Sequence, residues 1–204
     1  DKQMKFVILN DTVATLLGGP AVTNETKVDG YIGLILGTGV NTAYIEKTST
    51  IGKVTDINEE TMIINMESGC FDKLPFGEFD KRADLAYNPG HHPFEKSISG
   101  YFLGHVIAET VRQASKDGLF SVNNKFANID YFDMVTVDKF LRKPYGDNLL
   151  ANCCGNTDDV EILNIIIDRA LDRASRLVVS NLAGCIVKTD GGKKFSEPCR
   201  IVAE

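Results

Sequence analysis

Three residues near the start of the chain, Asn10-Asp11-Thr12, follow the apolar run Phe6-Val7-Ile8-Leu9 and precede the small-residue stretch Val13-Ala14-Thr15-Leu16-Leu17-Gly18-Gly19. An aspartate where a strand turns into a helix is a common seat for a catalytic carboxylate in α/β enzymes. The same pattern also makes a helix N-cap, whose side-chain oxygen accepts from the first free backbone N–H groups. Both readings stand on the local pattern. Gly37-Thr38-Gly39 carries a second open pair. Two glycines let a backbone approach a phosphate closely, with the Thr38 hydroxyl as a further donor, and the same three residues make a hairpin turn. Further on lie Ile64-Asn65-Met66-Glu67-Ser68-Gly69, Asn88-Pro89-Gly90 and Phe94-Glu95-Lys96 with Ser99-Gly100. Asn41 reads as a turn residue or as a hydrogen-bonding amide, and Glu95 as compensation of a helix dipole or as an acceptor.

The elements that must position these groups are strands early and helices late. Residues 5–9, about 30–37, about 41–46 and about 61–66 are rich in Val, Ile, Tyr and Met between Gly, Asn, Thr or charged residues, which predicts strands. Residues 95–115 carry Ile98, Phe102, Val106, Val111 and Ala114, which predicts one helix beginning just after Pro93. Gly100 and Gly104, one turn apart, predict a close backbone approach by another helix or by a ligand. The strongest periodicity is 158–187, where Leu163, Ile167, Ala170, Ala174 and Leu177 form one apolar stripe and Asp158 with Glu161 a cap-like start. Asp190-Gly191-Gly192 predicts a turn and Cys199-Arg200-Ile201-Val202 a last strand, with short elements between Asn123 and Asp159. Strands grouped early and helices grouped late predict an α/β layer structure on a mixed sheet.

With 204 residues and 43% apolar content the chain can bury one sizeable core, so one main domain is expected. A net charge of -6, with scattered lysines and arginines, argues against nucleic acid and anionic membranes as partners. No apolar run approaches the ~20 residues of a membrane span, and no signal-peptide pattern precedes Phe6, so a cytoplasmic location is expected. Cys70, Cys153, Cys154, Cys185 and Cys199 are odd in number without metal-ligand spacing, which predicts reduced thiols. The adjacent Cys153-Cys154 read as a loop before a helix or as a strained redox pair. His91, His92 and His105 make no ligand cluster, so no protein-bound metal is expected.

Taken in order, and with Arg173-Ala174-Ser175-Arg176-Leu177 and Lys188-Thr189-Asp190-Gly191-Gly192-Lys193, these segments resemble the hexokinase family over nearly the whole chain. The resemblance implies the actin-like, ribonuclease-H-like ATPase fold, with residues 1–204 corresponding to the large domain. It implies transfer of the ATP γ-phosphoryl group to the 6-hydroxyl of a hexose, glucose by preference, with Mg²⁺ carried on the phosphates rather than by side chains. Asp11 matches the family's general base, which takes the proton of the 6-hydroxyl as that oxygen bonds to phosphorus. Asn10, Asp11, Asn41, Glu67 and Glu95 match groups that hold the sugar hydroxyls, and as one site they must converge on a single cleft at one edge of the sheet. Gly37, Thr38 and Gly39 match the second phosphate segment, and Gly100 and Tyr101 match positions where a helix passes the nucleotide. The hexose substrate is the partner implied, and the oligomeric state stays open.

The chain departs from the family pattern at three places. Ser68 stands where an aromatic residue commonly follows the glutamate, Val40 where a Thr is common, and Met134 where a Thr or Ser lies near the adenosine. The family's first phosphate loop and its smaller domain, with a Thr-Lys pair, would precede residue 1, and the adenosine segment would follow Glu204. A piece of a longer enzyme is therefore expected. Two alternatives accompany this reading: a non-catalytic hexokinase-like sugar-binding regulator or sensor, and a related actin-like kinase for an acylated amino sugar, which Glu67 and Glu95 disfavour.

Overall fold

A computed structural model describes residues 6–22, 27–55 and 57–204. In chain order the elements are α1 (Asp11–Val22), β1 (Gly30–Leu36), β2 (Val40–Lys47), β3 (Thr61–Asn65), α2 (Glu78–Asp84), α3 (Pro93–Ile98), α4 (Gly100–Lys116), α5 (Met134–Arg142), α6 (Thr157–Thr189) and β4 (Cys199–Ala203). The chain divides into two compact units. A sheet unit takes the residues up to Leu36, Val40–Ser68 and Ser180–Glu204, and a helical unit takes Gly37–Gly39 and Gly69–Val179.

In the sheet unit the strands run in the order β3-β2-β1-β4. β1, β2 and β3 form an antiparallel meander, and β4 returns parallel to β1 after the long helical crossover that a parallel pair requires. Successive side chains point to opposite faces, so each face needs its own cover. Ile32, its register partner Tyr44 and in turn Ile64 share one face and pack on Leu182, Cys185 and Ile186 at the end of α6. On the other face Gly33 lies under α1, where an added Cβ would come 2.9 Å from the Leu16 Cβ. Leu16 and Ile32 are almost fully buried, each worth about 1.5–3 kcal/mol of transfer free energy.

The helical unit is held by apolar stripes at helical spacing. Leu103, Val106, Ile107, Val111 and Ala114 line the buried side of α4, and Val160, Leu163, Ile167 and Ala174 that of α6. Phe126, Phe132 and Phe140 fill the space between shorter segments. Arg173 donates from both terminal nitrogens to the buried Asp80, each at 2.9 Å, which pins α6 to α2.

Four expectations are corrected here. Residues 6–9 form no strand: Ile8 is 98% exposed and the apolar run makes no ladder with any of the four strands, and strand composition without a ladder partner does not make a strand. The single helix expected over 95–115 is two. Ser99 is extended, closes α3 by donating its N–H to the Glu95 carbonyl at 2.8 Å, and caps α4 by accepting from the Phe102 N–H. The backbone that approaches Gly100 and Gly104 is not another helix: the Gly37 carbonyl stands 3.2 Å from where a Cβ at Gly100 would be, and the Phe132 carbonyl lies against Gly104. The cap of α6 is Asn156, whose Oδ1 accepts from the Asp159 N–H at 2.9 Å, two residues before the expected start. The turn at Asp190–Gly192 forms as expected, with φ of 58° at Asp190 and 70° at Gly192.

Candidate active site

In the sheet unit, α1 begins at Asp11, and the cap is the residue before it. The Asn10 carbonyl takes the first helical bond from the Ala14 N–H at 2.9 Å, and its Oδ1 accepts from the Thr12 N–H at 2.9 Å. Asp11 thus occupies the first helical position with an exposed side chain, its Oδ1 also accepting from the Thr12 N–H at 2.7 Å. The capping duty falls to Asn10, and the Asp11 carboxylate stands at the helix entrance open to a ligand. Thr12, one residue on, is fully buried, and its carbonyl comes within 2.6 Å of where a Gly33 Cβ would stand.

That face of the sheet carries the next group. Gly33 pairs with Ala43 and Ala43 with Asn65, so all three point the same way, and Asn41 follows two residues before Ala43 on the same side. Asn41 is buried, its Oδ1 accepting from the Thr42 N–H at 2.7 Å and the Ser68 N–H at 3.3 Å. Its Nδ2 donates to the Asn65 Oδ1 at 2.7 Å, and the Asn65 Nδ2 donates to the Glu67 Oε1 at 2.7 Å. Glu67 does not end β3 but lies two residues past Asn65, exposed and in left-handed backbone at φ 50°. Asn41 and Glu67 are therefore joined through Asn65, a residue to which the sequence pattern assigned no role. The signal available was an asparagine two residues before the glutamate. Its position opposite Ala43, which makes the bridge, is a property of the ladder.

Ser68, where the resemblance implies an aromatic residue, is a buried hydroxyl. Its Oγ lies 3.1 Å from the Thr42 Oγ1, which in turn accepts from the Asn181 Nδ2 at 2.5 Å. The hydroxyl is thus absorbed into a polar knot on the α6 side of β2. Val40 is buried and Met134 half-buried at the start of α5.

In the helical unit, Glu95 sits half-buried in the first turn of α3, behind Pro93 and the left-handed His92 at φ 49°. A Cβ at Gly39 would fall 2.6 Å from the Glu95 Oε2, so the carboxylate lies directly against the turn, in space that a larger residue at position 39 would make it leave. The turn is closed by the Gly37 N–H donating to the Gly39 carbonyl at 3.0 Å and tied to α4 by the Gly100 N–H donating to the Gly37 carbonyl at 2.8 Å. Thr38 is exposed at its tip. Lys96, 6% exposed, donates to Asp84 Oδ1 at 2.6 Å, to the Asn88 carbonyl at 2.8 Å and to the Tyr87 carbonyl, clasping the loop that leads into α3.

Tyr101, 39% exposed, belongs to an aromatic cluster, with ring centroids 6.0 Å from Tyr87, 5.6 Å from His105 and 5.7 Å from Tyr131. Burial pushes the His105 imidazole below its ordinary range, and its Nδ1–H donates to the Asp130 carbonyl at 3.3 Å. All five cysteines are free thiols. Burial raises Cys154 to about 12 and Cys185 to about 11, so neither is a ready nucleophile at neutral pH. Among the described residues no group of three or more His, Cys, Asp or Glu side chains is placed to hold a metal ion, and no helix is long and apolar enough to cross a membrane.

A three-stranded meander with a fourth strand returning parallel to the first, between helices, is the mixed sheet of the actin-like, ribonuclease-H-like fold. The fold is shared with a hexokinase from Schistosoma mansoni solved with glucose, at TM-score 0.69 and 24% identity over 89% of this chain and 44% of that one. A second hexokinase crystal structure agrees at TM-score 0.73 and 22% identity, over 97% of this chain and 45% of that one. The hexokinase family model matches residues 31–203, and the chain belongs to the hexokinase family. Hexokinase-4, chloroplastic, of Oryza sativa subsp. japonica is 34% identical over 90% of this chain and 35% of its own length. Hexokinase-5 of the same rice is 41% identical over 54% of this chain and 22% of itself. Glucokinase-1 of Kluyveromyces lactis is 29% identical over 90% of this chain and 44% of itself. The chain spans less than half the length of each of these proteins.

Proposed function

We propose that the chain serves ATP-dependent phosphorylation of a hexose, glucose by preference, at the 6-hydroxyl. The observation that carries the reading is the exposed Asp11 carboxylate at the entrance of α1, in a hexokinase-family chain whose neighbouring sheet face presents Asn41, Asn65 and Glu67 as linked hydrogen-bonding groups. Asp11 accepts the proton of the 6-hydroxyl as that oxygen bonds to the γ-phosphorus and the bond to the bridging oxygen of ADP breaks. Asn10, Asn41, Glu67 and Glu95 hold the remaining hydroxyls, amides giving and accepting, carboxylates accepting. The Gly37-Thr38-Gly39 turn, with its exposed hydroxyl, and the start of α4 at Gly100 and Tyr101 face the nucleotide. A segment of glycines and a threonine offers donors rather than carboxylates, which fits a nucleotide that brings Mg²⁺ on its own phosphates.

The test is initial-rate kinetics on the longest natural form of the protein that contains this chain, with ATP, Mg²⁺ and a panel of hexoses. Phosphorylation of glucose at the 6-position, lost on Asp11→Ala, is the expected result. Sugar binding without turnover would instead favour the regulator.

A further inference from the structure

The bonds linking Asn41, Asn65 and Glu67 have a direction that their surroundings set. Backbone N–H groups cannot reverse, and two of them, from Thr42 and Ser68, point at one atom of the Asn41 amide, which must therefore be its oxygen. The Asn41 nitrogen then faces Asn65 and donates to its oxygen. That leaves the Asn65 nitrogen facing Glu67, whose Oε1 accepts. Orientation passes from fixed backbone donors through two amides to one carboxylate oxygen. Glu67 needs such a hold, because its left-handed backbone at φ 50° persists in a non-glycine residue only where neighbours over-determine it.

We infer that Asn65 is a positioning residue for hexose recognition, aiming the Glu67 carboxylate and the second Asn41 N–H at the sugar. The inference rests on the hexose reading proposed above. With one Asn41 proton given to Asn65, one Asn65 proton given to Glu67 and the Glu67 Oε1 engaged, the second N–H of each amide and the other carboxylate oxygen remain. Together they suit hydroxyls, each of which donates and accepts. Asn65 acts through binding and not through the transferring phosphoryl group, so it sets affinity for the sugar more than the rate of transfer.

The experiment is steady-state kinetics of Asn65→Ala and Asn65→Asp in the longest natural form, each alone and combined with Glu67→Gln. Asn65→Ala should raise KM for glucose about tenfold or more, the loss of a hydrogen bond to a charged group, with kcat changed less than about threefold and KM for ATP unchanged. Asn65→Asp keeps the acceptor for Asn41 but sets a second carboxylate against Glu67, and should raise KM at least as far. Because Asn65 works through Glu67, the effects of Asn65→Ala and Glu67→Gln should combine to much less than their product. A glucose KM within about twofold of wild type in Asn65→Ala, or independent multiplication with Glu67→Gln, overturns the inference while a working wild type leaves the hexose reading standing. A wild type that neither phosphorylates nor binds any hexose overturns the hexose reading itself, and the inference with it.

Discussion

Asp11 and Asn10 divide two duties that a single residue appeared able to fill. Asn10 takes the cap, which satisfies the Thr12 N–H in the first turn of α1, and Asp11 is left exposed at the first helical position. Asp11→Asn keeps the shape and removes the proposed base, so kcat should fall by roughly 10² to 10⁴ with a smaller change in KM for the sugar. Initial rates near wild type would remove Asp11 as the base. Glu95→Gln keeps the contact with the turn at Gly39 but loses charge, and should act mainly by raising KM about tenfold or more. At this scale the residue types were legible and their partners were not. Asn41, Glu67 and Glu95 announce hydrogen-bonding capacity in any sequence, but the Asn65 bridge exists because β2 and β3 pair in one register.

Among elements, the informative junction is the start of α6. Asp159, 1% exposed, accepts from the Ser121 N–H and Oγ and from the Gly155 N–H, each at 2.7 Å, and so ties the loop after α4 to the helix. Burial by itself raises this carboxyl, but the bonds from Ser121 and Gly155 outweigh it and hold it below the ordinary range. A carboxyl lowered in the folded state stabilises the fold above its unfolded value, near ~3.9, and that stability is lost as pH falls through the folded value. Asp159→Asn should therefore cost about 2–4 kcal/mol at pH 7, with the gap to wild type narrowing below pH ~4. Urea midpoints at both pH values check this, and an equal gap at both would show that the charge is not what matters. Helix periodicity made α6 legible because its buried face repeats over many turns. The break at Ser99 was not, since it depends on the Gly100 N–H finding the distant Gly37 carbonyl. Likewise, Phe6-Val7-Ile8-Leu9 has strand composition, but a strand also needs a ladder partner, which composition does not reveal.

At the scale of the whole molecule, family order across the chain made the fold readable, because hexokinase-like segments recur from Asn10 to Lys193 in sequence. The division into two units was not readable. The short turn Gly37–Gly39 belongs with the helical unit although its flanking strands do not, a matter of long-range contacts rather than composition. The same scale governs activity. This chain corresponds to 35% of rice hexokinase-4 and 44% of the Kluyveromyces lactis glucokinase. Phosphoryl transfer requires the base, the sugar contacts, donors on every transferring oxygen and exclusion of water at one moment, usually through closure of a surrounding structure. The groups proposed here supply the base, sugar contacts and one phosphate segment. A polypeptide of these 204 residues alone should therefore show no measurable hexose phosphorylation and bind glucose at about millimolar strength or weaker. A coupled assay with ATP, Mg²⁺ and glucose, run beside a calorimetric sugar titration, measures both. Sustained turnover that disappears on Asp11→Ala would show instead that these residues suffice to close a site around the reacting atoms.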